Sequence, residues 1–111
     1  MAQIDIDAID FEKGGGLVPV IVQDADTREV LTLAYANRES LGLAASTGRS
    51  WFYSRSRDKL WMKGEESGNV QDVSEILVDC DSDAIIYLVK PAGPACHKGE
   101  RACFHNRLAR Q

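Results

Sequence analysis

The chain of 111 residues contains only three cysteines. Three thiols cannot all pair within one chain, so an intracellular protein with reduced thiols is the better reading. No apolar segment follows the opening "MAQIDIDAIDFEKGGG", which argues against a secretory signal. The longest apolar runs, such as "GLVPVIV" and "AIIYLV", are strand-sized and far short of a membrane span, while Ala2 rules out an N-terminal myristoylation signal. Excess positive charge is missing as well. A formal net charge of -4 disfavours nonspecific nucleic-acid binding, although it leaves room for a local basic pocket. Internal repeats and low-complexity tracts are absent. The expectation is a soluble cytoplasmic protein with no nucleic-acid or membrane partner.

With 44% hydrophobic and 27% charged residues, the chain reads as one ordinary globular domain over residues 1–111, with no space for a second. Residues 1–16 form an acidic leader that need not be ordered, closed by the Gly14, Gly15, Gly16 run. The β-branched stretch "LVPVIVQD" predicts a first strand, "DADTRE" a turn and "VLTLAYA" the second arm of a hairpin. "NRESLGLAAST" predicts the main helix, with Asn37 as N-cap and Gly48 just past its C-terminus. Four further strands are expected in "SWFYSRS", "KLWMK", "VSEILVD" and "AIIYLVK", the last ended by Pro91, Gly93 and Pro94. The tail "ACHKGERACFHNRLAR" opens as a loop and could close as a short helix. The picture is α+β, mainly β with one main helix. Arg49, Arg55, Arg57, Lys59 and Lys63 alternate with Trp51, Phe52, Tyr53 and Trp61, a mixture suited to a positive cleft for an anionic small molecule.

Cys80, Cys96 and Cys103 lie outside the C-x-x-C spacing of a zinc ribbon or thioredoxin motif. A free cysteine is often simply a small buried hydrophobe, and that reading stays open. Their surroundings are unusual for core thiols, however. Cys96 sits in a Pro/Gly-rich loop beside His97, Cys103 follows among the basic residues Lys98 and Arg101, and Cys80 lies between carboxylates. Three thiolates bind zinc and leave a fourth tetrahedral position for water, the pattern of a catalytic site. His97 is placed in sequence to move protons or orient that water, the alternative being a solvated loop histidine. His105 has no comparable context and reads as structural or incidental.

Asp79, Asp81 and Asp83 form a D-x-D-x-D run that invites a calcium-loop reading. That reading fails, because Ala84 and Lys90 stand where an EF-hand loop needs Gly and Glu. What remains is a hard-cation site, magnesium rather than calcium if few carboxylates and several waters complete the shell, or simply a solvated turn. In a straight strand the carboxylates would share one face, but Asp79 and Asp83 would stand about 13 Å apart at ~3.3 Å per residue. The segment must therefore bend, or contact the ion through water. The same alternation points Cys80 away from the aspartates, towards a different site that another subunit could complete.

Taken together, "SRSRDKLWMKGEESGN", "DCDSDA", "GPACHKGERACF" and "VLTLAYANRESL" resemble the phosphoribosyl-AMP cyclohydrolase family of histidine biosynthesis, over about Leu17 to Leu108. The resemblance implies a mixed-sheet pseudobarrel capped by the main helix, in an intertwined homodimer. It also implies one zinc per subunit on Cys80, Cys96 and Cys103, with Cys80 supplied to the partner's site, and one magnesium per subunit on Asp79, Asp81 and Asp83. The implied reaction is hydrolysis of the N1–C6 bond in the adenine ring of phosphoribosyl-AMP by zinc-bound hydroxide, the third step of histidine biosynthesis, with His97 as proton carrier. Ribosylation at N1 leaves C6 electron-poor and open to such attack. For the substrate's two phosphates the candidates are Ser54, Arg55, Ser56, Arg57 and Lys63, with the Ser67 and Gly68 loop offering backbone N–H groups.

The chain departs from the family pattern at Ser82, where Gly is common, at Ala102, where Ser is frequent, and at Thr32 and Ala36, where methionines are common. Only Ser82 bears on a proposed ligand, since Gly tolerates backbone angles that Ser resists. Some relatives carry a fused pyrophosphohydrolase domain, for which a chain of this length has no room. A nucleobase deaminase would also use a zinc-activated water, but neither H-x-E nor P-C-x-x-C is present. A zinc-stabilised module binding an anionic partner is the non-enzymatic alternative; it requires a fourth protein ligand on zinc and no turnover.

Overall fold

The computed structural model describes residues 3–110; Ala2 lies outside them. The elements run β1 (Val18–Asp24), β2 (Val30–Ala36), α1 (Arg38–Thr47), β3 (Trp51–Ser54), β4 (Lys59–Met62), β5 (Gln71–Val78) and β6 (Ile85–Pro91). Two short 3-10 turns, Ile6–Ala8 and Glu12–Gly14, precede them. A four-stranded sheet has the order β2-β1-β6-β5, and β3 and β4 form a separate hairpin. The β1–β6 pair is parallel while β1–β2 and β5–β6 are antiparallel, so the sheet is mixed. It does not close: β2 and β5 are its two edges.

Strand β1 alternates fully, with Val18, Val20, Val22 and Asp24 buried and the residues between them half-exposed. Pro19 is tolerated in this central strand because pairing with β6 begins only at Val20↔Ile85, so its missing N–H lies outside that ladder. The core joins these valines to Leu31, Phe52, Ile85, Tyr87 and Val89. Phe52 packs its ring 4.8 Å from Trp61 and 5.6 Å from Tyr87. Much of the aromatic content of the 49–63 segment therefore serves the core rather than a cleft. Burial pushes the Tyr87 hydroxyl far up in pKa, and it donates to the Trp51 carbonyl at 3.0 Å.

The helix follows its sequence signals. Asn37 accepts from the Ser40 N–H at 2.8 Å while Ser40 Oγ accepts from the Asn37 N–H at 2.9 Å, a capping box with Ser in the third position. Gly48 ends it at φ 70, donating to the Ala44 carbonyl. The predicted closing helix of the tail is not formed. Residues 104–110 are irregular and mostly exposed, because "FHNRLAR" has too few apolar residues at helical spacing to bury a face.

Candidate functional site at the two ends of one strand

β6 separates two loops rich in chemistry. The aspartate loop (79–84) precedes it and the cysteine loop (95–103) follows it, so seven strand residues, about 20 Å, lie between them.

At the first end, the straight-strand geometry is abolished by a turn. The Ser82 N–H donates to the Asp79 carbonyl at 3.2 Å, and Asp79 Oδ1 accepts from the Asp83 and Ala84 N–H groups at 2.9 and 3.1 Å. Ser82 takes the bend at φ 61, a left-handed conformation that costs a non-glycine residue energy. Asp79, Asp81 and Asp83 thereby each bring one carboxylate oxygen within 4.8 Å of the others. Since the Ser82 side chain forms no hydrogen bond among the described residues, Ser82→Gly should leave cation affinity unchanged and stability equal or higher by up to about 1 kcal/mol. A thermal melt and a magnesium titration would check this; a marked loss of either would show that the hydroxyl matters.

The leader closes over this loop. The Asp10 N–H donates to the Ser82 carbonyl at 2.8 Å, and Lys13 Nζ lies 2.5 Å from Asp83 and 3.4 Å from Asp81. The Lys13 hydrogen bond lowers Asp83 to a pKa of about 2, while Asp81 is raised, first by sharing hydrogen bonds with Asp83 and Asp79. Because the folded Asp83 value lies below the unfolded one, its contribution to stability is present at neutral pH and is lost as the pH falls through about 2. Three hard oxygen donors in reach of one another fit a hard cation, and a divalent ion there would have to displace or tolerate the Lys13 ammonium.

Cys80, within this loop, is exposed and lines a groove of about 1120 Å³ with Ile4, Ile76, Val78 and Ile86. The thiols of the far loop are placed differently. Cys96 is buried and Cys103 half-buried, and Cys103 is among the neighbours that lower the Cys96 thiol. A tight turn shapes this loop: the Gly99 N–H donates to the Cys96 carbonyl at 3.0 Å, and the Lys98 N–H points at Cys96 Sγ, 3.5 Å away. The Lys98 bond is the main reason that the Cys96 thiol is lowered in pKa, with His105 and Cys103 adding to it against burial.

His105 Nε2 lies 3.8 Å from Cys96 Sγ, whereas His97 is exposed. Sequence reasoning set His105 aside because no motif surrounds it. The signal available was a histidine two residues after Cys103, close enough along the chain to fold back. Among the described residues, the aspartates are the only trio of acidic, His or Cys side chains close enough to hold one ion. A single chain thus brings Cys96 and Cys103 together without Cys80. Two thiols and an imidazole are soft donors that suit zinc.

The phosphate candidates also divide. Arg55 lies over the Tyr35 ring, 5.1 Å from its centre, on the β3–β4 turn, with Ser54 and Ser56 hydroxyls 3.2 Å apart and the Arg57 N–H donating to Ser54 Oγ. Tyr35 pairs with Pro19, which puts this turn at the aspartate end. Ser67 and Gly68 lie on the loop before β5, next to Asn69, whose side chain packs so close to Gly93 that a Cβ there would sit 2.3 Å from its Oδ1. That loop is at the cysteine end. Lys63 is close to it in the chain, with its N–H on the Ser50 carbonyl.

The chain is therefore a small α+β domain with an oxygen-donor cluster and a thiol–imidazole cluster at opposite ends of one sheet. A family model for phosphoribosyl-AMP cyclohydrolase matches residues 32–105. The chain is 81% identical over 103 residues to a phosphoribosyl-AMP cyclohydrolase of Nitrosopumilus maritimus, covering 93% of this chain and 95% of that protein. It is 74% identical over the same length to one of Cenarchaeum symbiosum, with the same coverage. It is also 61% identical to the histidine biosynthesis bifunctional protein HisIE of Thermus thermophilus, covering 95% of this chain and 49% of that protein. The chain belongs to the phosphoribosyl-AMP cyclohydrolase family.

Proposed function

We propose that this chain hydrolyses the N1–C6 bond of the adenine ring in phosphoribosyl-AMP, as the third step of histidine biosynthesis. The observation that carries the reading is 81% identity, over nearly the whole chain, to a protein named for that activity. Zinc held by thiolates would supply a water acidic enough to act as a nucleophile near neutral pH. Cys96 and Cys103 would hold it, with Cys80 from a second copy of the chain. The about 20 Å between the two ends of β6 supports this sharing, because Cys80 cannot reach Cys96 within one subunit.

A homodimer also unites the divided phosphate candidates. Arg55, Arg57 and the aspartates of one copy would then meet Lys63, Ser67 and Gly68 of the other. The guanidinium groups bind phosphate oxygens bidentately and the Ser54 and Ser56 hydroxyls add neutral donors, whereas the Gly68 N–H is already engaged by the Gly64 carbonyl at 2.9 Å. Asp79, Asp81 and Asp83 would hold magnesium, which would supply positive charge near those phosphates. His97, exposed beside Cys96, can carry the proton to the departing ring nitrogen. His105, 3.8 Å from Cys96 Sγ, is a second candidate carrier.

The direct test is to incubate the purified chain with phosphoribosyl-AMP, zinc and magnesium and follow ring opening by ultraviolet absorbance. Full metal occupancy without turnover would overturn the assignment. Lys13 provides a second check. Because its ammonium already neutralises Asp81 and Asp83, Lys13→Met should tighten magnesium binding by about two- to five-fold at low ionic strength, and less in high salt. Calorimetric titration reads this directly; equal or weaker binding in the variant would refute the competition.

A further inference from the structure

The cysteine loop is tied to the sheet by a charged clamp in the turn between β1 and β2. Asp24, only 4% exposed, uses its two carboxylate oxygens for different tasks. Oδ1 accepts from the Asp26 and Thr27 N–H groups at 2.8 and 3.0 Å and builds the turn, while Oδ2 accepts from Arg101 at 2.7 Å. Arg101 also binds the Glu29 carboxylate through Nε and the Thr27 hydroxyl at 3.2 Å. Its backbone carbonyl accepts from the Ala95 N–H at 3.1 Å, closing the hairpin that carries Cys96. Two residues later, the Cys103 N–H donates to Leu31 in β2 at 2.7 Å. Arg101 therefore stands between the two thiols and anchors both sides of the loop to one nearly buried carboxylate.

We infer that Arg101 and Asp24 are positioning residues that set the separation and orientation of the Cys96–Cys103 thiol pair, and so its affinity for zinc. The metal part of this inference rests on the zinc reading given above. A planar guanidinium bonded on two edges fixes the loop's rotation as well as its distance, which a lysine ammonium cannot do. A buried carboxylate left without its cation is costly, so the clamp stays closed in the folded state. Partners that orient metal ligands in this way typically change metal affinity by 10- to 100-fold when removed.

The variants separate clamp from turn. Asp24→Asn keeps an oxygen for the Asp26 and Thr27 N–H groups but loses the anionic acceptor for Arg101. Arg101→Met leaves the turn untouched. Each should lower zinc affinity by about 10- to 100-fold in competition with a chromophoric chelator. The double variant should be no worse than either single one, and Arg101→Lys should recover part of the loss. A second readout uses no metal: in chelator-treated protein, well below the unfolding temperature, Cys96 should be alkylated several-fold faster in Arg101→Met than in the parent. Parent-like zinc affinity and parent-like alkylation in Arg101→Met would overturn the inference. Faster alkylation in a chain whose parent binds no zinc would uphold the clamp and refute the zinc reading instead.

Discussion

Alanine at Cys96 or at Cys103 is expected to abolish zinc binding and reduce turnover to the background rate while leaving the sheet folded. Neither cysteine belongs to the main core cluster. The loop is held by backbone bonds from Ala95, Cys96, Gly99 and Cys103, all of which survive the substitution, and among the described residues the one backbone bond lost with the Cys96 sulfur is that of the Lys98 N–H. The pair is chemically prepared for a soft cation, since the Lys98 N–H and the neighbouring His105 and Cys103 groups favour the Cys96 thiolate over the thiol. Two thiols are too few to spare one, and without the metal an ordinary water is a far weaker acid and a poor nucleophile at neutral pH. Zinc content by atomic absorption, steady-state turnover and far-ultraviolet circular dichroism separate these effects. Unchanged zinc content in both variants would sink the site assignment.

Mixing Cys80→Ala and Cys103→Ala chains, each inactive alone, is expected to restore about a quarter of the parent activity. In a two-fold symmetric dimer with shared sites, the mixed dimer places both lesions in one site and leaves the other whole, and random exchange makes half of all dimers mixed. The structure motivates this through placement. Cys80 is exposed at the aspartate end of β6, beside an apolar groove, and the other two thiols lie at the far end. Dimer exchange is followed by mass spectrometry and activity in the same samples. Proven mixed dimers without recovery would rule out sharing between subunits.

Much of the local structure was legible because it depends on neighbours in sequence. Alternation in "VPVIVQD", the Asn37 cap and the Gly48 stop each correspond to an observed strand, capping box or left-handed end. Ser82 was identified as the residue on which the aspartate bend depends, and it does adopt the positive φ there. The bend expected of the aspartate segment is present, so strand alternation does not decide where Cys80 points. β5 ends at Val78, so Asp79 onward is a turn rather than a strand, and the aspartates converge by backbone hydrogen bonds to Asp79 instead of by sharing a face. The tail helix failed because propensity without an apolar stripe gives a chain end nothing to bury. His105 and Lys13 were passed over because their partners lie 9 and 70 residues away in sequence.

By itself, then, the amino-acid sequence determined the α+β class, the main helix with its caps and the residue types capable of holding hard and soft cations. These follow from short-range periodicity and side-chain chemistry. Only the tertiary structure decided which of those residues meet. The parallel pairing of β1 with β6 puts the leader and Lys13 at the aspartate end and the Asp24 turn at the cysteine end. One strand length then holds Cys80 apart from Cys96 and Cys103. Such distances are set by strand order and direction, which result from burying one continuous apolar face and leave no mark in any local stretch of sequence.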